Sequence, residues 1–437
     1  MQKDLIQKIY SIYKRYPHIS TDTRKELKDT VFFALKGEHF DANEMVEKAL
    51  EKGAALVLTH RSDMEHNPKV IVVEDTLRTL QELAAFHRSQ LKIPIIAITG
   101  SNGKTTTKEL ISLVLAKKFN VFHTPGNLNN HVGVPLSLLM IHSAHEIAVL
   151  ELGANHVGEN LFLTELCQPD IGITTNIGKD HLGMFGSEKL VIEAYREFMD
   201  YFNRSEGKLF VCNEDDTNIT SNLNISGRIS FSAINRHADL FGQVLENGIY
   251  LKLRAFYKKD ISSLDIQTQM FGDYNIYNVL AALCLGYYFK VDEEKMASAV
   301  AAYNPDNNRS QVVQWHDNTI VFDAYNANPS SMRLALMDFS KLNVDSKWVI
   351  LGDMHELGEF TDTEHAEIVS LLKTLSFDNI ILVGNFFAKQ ANKIDCMHFE
   401  NSFKLRDWFC KQKISETYIL LKGSRSEKLE IIFNDQD

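Results

Sequence analysis

The residues best suited to chemistry lie in the segment ITGSNGKTTTKEL, 98–110, where two glycines enclose a serine and an asparagine and precede a lysine. Glycines let backbone N–H groups approach phosphate oxygens closely. The lysine of such a loop can contact the β- and γ-phosphates of a nucleotide, and the following threonine can hold Mg²⁺. Ile98 occupies the first position of the common GxxxxGK[ST] pattern, so this loop has the shorter TGxxGKT form. The predicted phosphate-binding residues are Gly100, Ser101, Asn102, Gly103, Lys104 and Thr105.

The elements on either side of this loop favour a phosphate site over an ordinary glycine-rich turn. The run IPIIAITG, 93–100, is short and wholly apolar, which is typical of a strand buried on both faces of a parallel sheet. A helical pattern at 105–119 follows directly. The partial positive charge at the N-terminus of that helix would favour a bound phosphate.

Two further polar residues follow strand-like runs of the same region. Glu151 ends the run in LELGAN, and His181 lies in NIGKDHLGMFGS after another run. Ligands of open α/β sheets bind at the carboxyl ends of the strands, where both residues are expected to lie. Carboxylate, hydroxyl and phosphate oxygens suit Mg²⁺, so Glu151 is a candidate metal ligand. His181 could bind the metal or the nucleotide, and a solvated strand end and a surface histidine are the alternatives.

Strand-like and helix-like runs divide the 437 residues into three α/β regions, as a prior of about 150 residues per domain suggests. The predicted domains are 1–92, 93–308 and 309–437. In the first, strands are predicted at 32–35, 55–60 and 69–75 and helices at 43–52 and 76–91. In the second, strands at 93–100, 146–153, 170–178 and 208–215 alternate with helices, and a helix at 275–289 closes a doubly wound sheet. In the third, strands at 319–326, 348–354, 380–385 and 418–424 alternate with helices at 330–341, 363–375 and 401–412.

Composition excludes several other classes of protein. The chain has 46 basic and 57 acidic residues, and a net charge of -11 argues against a nucleic-acid partner. No apolar run approaches the 18 or so residues that span a bilayer, and the first residues have no secretory apolar core. The five cysteines are scattered and form no CxxC, so neither zinc nor a disulfide framework is indicated. We therefore expect a cytoplasmic protein without membrane insertion.

Several motifs, in order along nearly the whole chain, resemble those of the Mur ligase family. The phosphate loop, TPGNLNNHVGVPLSLL (124–139), LELGANHVGE (150–159) and NIGKDHLGMFGS (176–187) look like the family's central domain. FDAYNANPSSM (322–332), LGDMHELGE (351–359) and LLKGSRSEKLE (420–430) resemble its MurF-type branch. The segment 20–43 resembles the family's uridine-nucleotide-binding first domain. Each motif has a local alternative, such as a turn or a helix cap, but their ordered occurrence together makes those alternatives weak.

The resemblance implies an α/β fold with a small uridine-nucleotide-binding domain, a doubly wound P-loop-type ATPase domain and a Rossmann-like C-terminal domain. It implies an ATP- and Mg²⁺-dependent, ADP-forming ligase of peptidoglycan synthesis that adds D-alanyl-D-alanine to UDP-N-acetylmuramoyl-tripeptide. The tripeptide carboxylate would become an acyl phosphate, which the dipeptide amine then attacks. A carboxylate and a triphosphate repel each other, so cations must screen their negative charges when they come together. We expect a monomer whose last domain closes on ATP about a hinge near 304–315.

The resemblance also implies a role for each matching residue. The catalytic residues would be Lys104, His181 and Arg309. The ATP-binding residues would be Gly100, Ser101, Asn102, Gly103, Lys104, Thr105, Thr106, Asn275, Asn278, Arg309 and Asp323. The metal ligands would be Thr105, Glu151 and His181, and the substrate-binding residues Thr23, Arg24, Lys36, Gly37, Tyr325, Asn326 and Asn328.

One departure from the family pattern bears on the metal site. The family carries a carbamylated lysine after the histidine motif, and Tyr195 occupies that position here. A phenol cannot form a carbamate, and its pKa near 10 makes it a poor metal ligand at neutral pH. Smaller departures are Tyr274 in place of a histidine, Gly183 in place of an acidic residue, and Ser426 in place of a glycine.

Three functions therefore stay open. The first is the dipeptide-adding ligase. The second is a related ligase with another amino substrate, although the DNPR string of the diaminopimelate-adding enzymes is absent and folate ligases lack the uridine-type first domain. The third is a catalytically impaired nucleotide-binding relative, which Tyr195 suggests and the retained Lys104, Glu151, His181 and Arg309 argue against. The third residue of the stem peptide stays open between lysine and diaminopimelate.

Overall fold

The computed structural model describes residues 2–257 and 263–433. The α-helices of this part are α1 (Gln2–Arg15), α2 (Val46–Glu51), α3 (Thr76–Gln90), α4 (Lys104–Leu115), α5 (Gly133–Leu139), α6 (Glu159–Cys167), α7 (Leu182–Phe185), α8 (Glu188–Asn203), α9 (Thr217–Thr220), α10 (Ile276–Tyr288), α11 (Glu293–Ala302), α12 (Pro329–Ser340), α13 (Thr361–Leu372), α14 (Asn385–Ala388) and α15 (Ser402–Phe409). None of them is long and apolar enough to cross a membrane.

The strands belong to three sheets of four, nine and six strands. They are β1 (His18–Ser20), β2 (Thr30–Phe33), β3 (Leu56–Thr59), β4 (Val70–Val72), β5 (Ile95–Thr99), β6 (Val121–His123), β7 (Ile147–Glu151), β8 (Ile171–Thr174), β9 (Leu209–Asn213), β10 (Arg228–Ser232), β11 (Leu240–Glu246), β12 (Lys252–Tyr257), β13 (Ser263–Gln267), β14 (Gln311–Trp315), β15 (Asn318–Asp323), β16 (Lys347–Gly352), β17 (Asn379–Val383), β18 (Met397–Phe399) and β19 (Tyr418–Lys422).

The chain forms two compact units. The first unit contains Met1–Ala97, Phe119–Gly153 and Glu159–Ile171, and the second contains Ile98–Lys118, Ala154–Gly158 and Gly172–Asp437. Strands β6 and β7 lie in the first unit, and strands β9 to β13 lie in the second.

The first unit begins with a four-stranded parallel sheet in the order β1-β2-β3-β4. Its central strands β2 and β3 are buried at every position, as expected of a parallel sheet with both faces covered. A core around Phe32, Val46 and Val57 fills one side. Helix α3, which begins at an Asp75 side-chain cap, packs against α1 and α5 of the same unit. Strands β6 and β7 also belong here and pair in parallel.

The second unit contains strands in the order β13-β12-β11-β10-β9-β8. Strands β9, β10 and β11 pair in parallel, and β11, β12 and β13 form an antiparallel extension. Helix α10 is apolar almost all round and buried along most of its length, so it lies inside the unit and packs on α4 and β10. The sequence reading of a helix at 275–289 is confirmed, whereas the antiparallel strands were not predicted.

The last third of the chain builds a six-stranded sheet in the order β14-β15-β19-β16-β17-β18. Strand β14 is antiparallel to β15, and the other pairs are parallel. Apolar residues of the central strands form a core with the C-terminal turn Leu429–Phe433. Because β15 and β19 are parallel neighbours, the segments that follow them, which contain the YNANP and GSR motifs, leave the sheet at the same edge.

The mixed α/β class is confirmed, and the predicted strands and helices of all three regions are present with ends displaced by a few residues. The helix after the phosphate loop runs Lys104–Leu115 rather than 105–119. The elements that sequence reading missed include α1, α11 and the strands β1, β6, β10 to β14 and β18. The domain boundaries at 92/93 and 308/309 stay predictions.

Candidate active site

The phosphate loop lies between β5 and α4, as the sequence predicted. Gly103 precedes the helix with a φ of 82°, in the left-handed region that a glycine adopts without strain. Lys104 is the first helical residue, and Thr105 and Thr106 are buried in the first turn. The Lys104 ammonium donates to the carbonyl oxygen of Gly100 at 2.5 Å. The loop and its lysine are therefore folded together at the N-terminus of a twelve-residue helix.

The segment after β8 holds the loop in shape. The Asn102 carbonyl oxygen accepts from the Thr175 hydroxyl at 2.6 Å and from the Asn176 side chain at 2.9 Å. The backbone N–H groups of Ser101 and Asn102 donate to the carbonyl and side-chain oxygens of Asn176, at 2.9 and 3.1 Å. A Cβ on Gly100 would lie 2.2 Å from the Thr175 hydroxyl oxygen, so this position has no room for a side chain. Sequence reading missed Thr175 and Asn176, although Asn176 begins the quoted motif that contains His181 and Thr175 directly precedes it.

The two asparagines predicted to bind ATP, Asn275 and Asn278, lie directly beneath the loop. A Cβ on Gly103 would lie 2.5 Å from the Oδ1 atom of Asn278, and that oxygen accepts from the Thr107 hydroxyl at 3.0 Å. The Asn278 amide donates to Asn275 Oδ1 at 2.8 Å, and the Asn275 amide donates to the Ser310 hydroxyl at 3.0 Å. These side chains therefore support the loop through a continuous buried chain of hydrogen bonds, a role that the sequence did not reveal.

Tyr274 closes the same chain of hydrogen bonds. Its hydroxyl lies 2.9 Å from the Ser310 hydroxyl and donates to Asp323 at 3.5 Å. Burial and the Asp323 carboxylate raise the pKa of this phenol well above its usual value, so it stays protonated. These hydroxyl partners lie on the segments 308–311 and 318–323.

Glu151 is the last residue of β7 in the first unit and is almost fully buried, with 2% of its surface exposed. Its Oε1 atom accepts from the Asn129 amide at 2.8 Å, and its backbone N–H donates to the Thr124 hydroxyl at 3.0 Å. A buried carboxylate held by an amide donor is chemically suited to a divalent cation. Asn129 was not singled out from the sequence, although the quoted segment 124–139 contains it.

His181 has a left-handed backbone conformation, with a φ of 47°. Its Nδ1 atom lies 2.6 Å from Oε2 of Glu356, which has a left-handed φ of 63° itself. The contact with His181 lowers the pKa of the Glu356 carboxyl, so that group is ionised at neutral pH. An imidazole whose Nδ1 atom lies against a carboxylate keeps Nε2 as the atom that can bind a metal.

The neighbouring Gly183 explains one departure from the family pattern. Its N–H donates to the Glu356 carbonyl oxygen at 2.9 Å, and a Cβ at this position would lie 2.5 Å from the backbone nitrogen of Gly358. The segments 181–186 and 353–360 therefore meet through their backbones. An acidic side chain at 183 would not fit this packing.

Asp180 and Tyr195 form a buried pair beside the phosphate loop. The Tyr195 hydroxyl donates to Asp180 Oδ2 at 2.7 Å, and the Ser101 hydroxyl donates to Asp180 Oδ1 at 2.6 Å. Both members of the pair are at most 2% exposed. Burial and the Asp180 carboxylate raise the pKa of Tyr195 well above its usual value, so the phenol is a neutral donor. Tyr195 thus acts on the loop through Asp180, a residue that sequence reading missed.

The C-terminal motif residues lie close to the phosphate loop within the second unit. Asn328 caps α12 by accepting from the Ser331 N–H, and its amide donates to Asn102 Oδ1 at 2.9 Å. Asp323 forms a 2.6 Å ion pair with Lys422, which is 2% exposed, and accepts from the Ser310 N–H at 3.1 Å. Lys422 was not predicted, although it lies in the quoted LLKGSR string.

Tyr325 and Asn326 follow Asp323 at the edge of the last sheet. The guanidinium carbon of Arg309 lies 3.8 Å from the centre of the Tyr325 ring, and that of Arg425 lies 5.2 Å from it. The backbone N–H of Tyr325 donates to the Asn308 carbonyl oxygen at 3.1 Å. Asn326 is exposed, and its Oδ1 atom accepts from the Ala327 N–H. The structure therefore joins the predicted Arg309 to the YNANP motif.

The four predicted substrate residues of the first unit lie on the two loops that follow β1 and β2. Arg24 is exposed and pairs with Asp22 at 2.8 Å, which lowers the pKa of that carboxyl to about 2. The carbonyl oxygen of the buried Thr23 accepts from the Lys52 ammonium at 2.8 Å. Lys36 is exposed, 3.9 Å from Asp41, and the Gly37 N–H donates to the Phe40 carbonyl oxygen at 2.8 Å. Their role in substrate binding stays a prediction.

A glycine-rich loop at a helix N-terminus, with polar residues of the last sheet beside it, is the arrangement found in nucleotide-binding α/β proteins. Two family models match the chain, the Mur ligase middle domain over residues 98–286 and the Mur ligase glutamate ligase domain over residues 308–425. The UDP-N-acetylmuramoyl-tripeptide–D-alanyl-D-alanine ligase of Bacillus subtilis is 33% identical, over 95% of this chain and 92% of that protein. The chain belongs to the Mur ligase family.

Solved structures agree with this assignment. A crystal structure of MurF from Acinetobacter baumannii has a TM-score of 0.86 and 29% identity, and covers 95% of this chain and 92% of its own. The MurF ligase from Thermotoga maritima, solved in complex with ADP, has a TM-score of 0.82 with 24% identity and covers 95% and 96%. This second likeness concerns the fold alone. The expected three-part Mur ligase architecture is thereby confirmed.

Proposed function

We propose that this protein is an ATP-dependent, ADP-forming ligase that adds D-alanyl-D-alanine to UDP-N-acetylmuramoyl-tripeptide. The 33% identity to a curated ligase of that name, over 95% of the chain, supports the substrates. One structural observation carries the proposal. Asn328 of the YNANP motif donates to Asn102 of the phosphate loop, so the proposed dipeptide site and the proposed nucleotide site adjoin. The cytoplasm, where we place the protein, would supply both nucleotides.

The side chains fit ATP and Mg²⁺. The loop has no room for a Cβ at Gly100 or Gly103, as expected where backbone groups must approach a phosphate closely. The described residues contain no group of three or more acidic, histidine or cysteine side chains that could hold a metal alone. Mg²⁺ needs no such cage, because it binds through one or two carboxylates together with substrate phosphates and water. We propose Thr105, Glu151 and His181 as its protein ligands.

When bound, ATP supplies the phosphoryl group that activates the tripeptide carboxylate, and Mg²⁺ offsets the negative charge. Lys104 leaves the carbonyl oxygen of Gly100 and places its ammonium against the phosphates. Arg309, held over the Tyr325 ring, adds a second positive charge at the junction with the last sheet. Asn328 fixes the loop to the dipeptide side. Most of the remaining rate acceleration comes from positioning the amine against the activated carbonyl.

Tyr195 does not take over the role of a carbamylated lysine in this proposal. Its hydroxyl is committed to Asp180, and its raised pKa keeps it neutral. We therefore propose that catalysis is independent of carbon dioxide and that the Tyr195–Asp180 pair acts by holding Ser101 of the loop. A second Mg²⁺, if the reaction uses one, would be held by His181 and by oxygens of the substrates.

The test measures phosphate release with ATP, Mg²⁺, UDP-N-acetylmuramoyl-tripeptide and D-alanyl-D-alanine, with each component omitted in turn. We expect release that requires all four. Lys104→Met should lower kcat by at least about a hundredfold, because an electrostatic contact to the transferring phosphate is removed. Lys117→Met, an exposed lysine just after α4, is the matched control and should leave the rate unchanged. Release with another amino acid in place of the dipeptide would indicate a different ligase, and ATP binding without release would indicate an impaired relative.

A further inference from the structure

The Tyr325 ring lies against two guanidinium groups. Arg309 reaches it from the segment before β14, and Arg425 reaches it from the turn after β19. The ring-to-guanidinium distances are 3.8 and 5.2 Å. Each contact is favourable, because the face of an aromatic ring attracts a cation. The ring therefore gathers two positive charges at one edge of the last sheet.

These two arginines differ from most others of the chain in having no acidic partner. Arg24, Arg61 and Arg254 each lie within 2.9 Å of a carboxylate oxygen. Within residues 2–257 and 263–433, neither Arg309 nor Arg425 forms an ion pair. Two cations that share a ring and lack a counterion make a local anion site, because an anion placed there relieves their mutual repulsion.

The topology of the sheet fixes this site. Strands β15 and β19 are parallel neighbours, with Asp323 opposite Lys422. Tyr325, two positions after Asp323, and Arg425, three positions after Lys422, therefore leave the sheet side by side. Ser424 holds the second segment, because its hydroxyl accepts from the His355 N–H at 3.0 Å and its own N–H donates to the Asp353 carbonyl oxygen. Tyr325 and Arg425 are thus placed by the backbone of two adjacent strand ends.

We propose that Arg425, held against Tyr325, binds the terminal carboxylate of the incoming dipeptide. The inference deepens the proposed function and rests on it. The dipeptide reacts through its amine, so its carboxylate stays ionised and needs a cation away from the reacting carbon. A guanidinium meets a carboxylate with two parallel hydrogen bonds. Arg425 is exposed and has no acidic partner among the described residues, whereas Arg309 is partly buried and assigned to the nucleotide.

The same geometry accounts for selection of a short peptide. A carboxylate anchored at Arg425 places the rest of the ligand along the Tyr325 ring, towards Asn328 and the phosphate loop that it contacts. With the carboxylate fixed at Arg425, only a ligand of the right length places its amine at the reacting position. A ligand that is one residue shorter or longer would present its amine at the wrong place.

The experiment compares D-alanyl-D-alanine with its C-terminal amide as the acceptor in the phosphate-release assay. The wild-type protein should show a KM for the amide about tenfold to a hundredfold higher, since one charge-assisted pair is lost. Arg425→Gln should raise the KM for the dipeptide by a similar factor, leave the KM for the amide unchanged, and leave the KM for ATP within about twofold. Arg425→Lys keeps the positive charge but loses the two parallel donors of the guanidinium. Its KM for the dipeptide should therefore lie between those of the wild type and of Arg425→Gln.

Arg236→Gln is the matched control. Arg236 is exposed and lies 5.5 Å from the Phe241 ring, so it also places a guanidinium over an aromatic ring, but on another segment. This substitution should leave the ratio of the KM values for the acid and the amide unchanged. Equal KM values for acid and amide with the wild-type protein would overturn the inference, as would an Arg425→Gln variant that weakens both ligands or ATP equally. Wild-type protein that turns over neither acceptor would instead overturn the proposed function, and this inference with it.

Discussion

Replacing Tyr195 by phenylalanine tests how the phosphate loop is held. The substitution removes one hydroxyl from a fully buried ring and leaves the shape of the ring unchanged. The Asp180 carboxylate keeps the Ser101 hydroxyl on Oδ1 but loses its donor on Oδ2. Asp180 is 2% exposed, so water cannot readily replace the lost donor.

The size of the effect follows from this geometry. A hydrogen bond to a charged group contributes about 1.5–3 kcal/mol, and an unsatisfied buried partner costs the most. We expect Tyr195→Phe to lower the free energy of local opening by about 2 kcal/mol. At 1.36 kcal/mol per factor of ten, that is about a thirtyfold increase in the exchange rate of the protected amides.

Hydrogen exchange followed by mass spectrometry is the suitable assay, because the three tryptophans (Trp315, Trp348 and Trp408) all lie in the last third of the chain and do not report on this region. Peptides covering 98–110 and 188–203 should exchange faster in the variant. The KM for ATP should rise about tenfold, because Ser101 is no longer fixed by a satisfied carboxylate. Activity of the wild-type protein should not depend on added bicarbonate.

A control variant and a double-mutant cycle test whether the Tyr195–Asp180 pair holds the loop. Tyr288→Phe removes a hydroxyl from an exposed ring and should change neither exchange nor KM. In a double-mutant cycle, Asp180→Asn should cost less in the Tyr195→Phe background than in the wild type, by about 1 kcal/mol or more. Additive effects of the two substitutions, or unchanged exchange at 98–110, would show that the pair does not hold the loop.

Three further predictions concern other contacts. Gly183→Ala should lower the melting temperature by several degrees in calorimetry, because a Cβ would lie 2.5 Å from the backbone nitrogen of Gly358. Asn328→Asp keeps the helix cap but replaces the donor to Asn102 by a carboxylate, so kcat/KM should fall about tenfold in the release assay, with stability changed by less than about 1 kcal/mol. Burial lowers the pKa of His87, so its contribution to stability is complete above the unfolded pKa near 6.5 and is lost as the pH falls below it. Urea unfolding between pH 7 and 5 should lose up to about 1.4 kcal/mol per pH unit from this group, and His87→Gln should remove that part of the slope.

The sequence by itself determined the local elements and the chemistry of the loop. Short apolar runs bounded by glycine are strands in the structure, and the helix after the loop begins at Lys104, one residue from the prediction. These features depend on neighbouring residues and on hydrophobic period, which a single sequence displays. Strands β10 to β13 were missed, because apolar and polar residues alternate only weakly there and the segment carries several charged residues.

The sequence also marked most of the candidate site, since the motifs that drew attention contain Asn102, Asn328 and Arg309. It did not reveal what these side chains contact. The Asn275–Asn278 chain of hydrogen bonds and the Asp323–Lys422 ion pair join residues that are 3 and 99 positions apart, and the Asn102–Asn328 bond spans 226. The last two pairings exist only because parallel strands and buried helices bring distant segments together.

Tertiary structure alone decided the meaning of the departures from the family pattern. In the sequence, Tyr195 occupies the position where the family carries a lysine. In the structure, burial makes it a neutral donor to Asp180. Gly183 occupies the position where the family carries an acidic residue, but the backbone of Gly358 fills the space that a side chain would need. A residue type fixes which bonds a side chain is able to form, whereas burial and the approach of distant backbone decide which of them it does form.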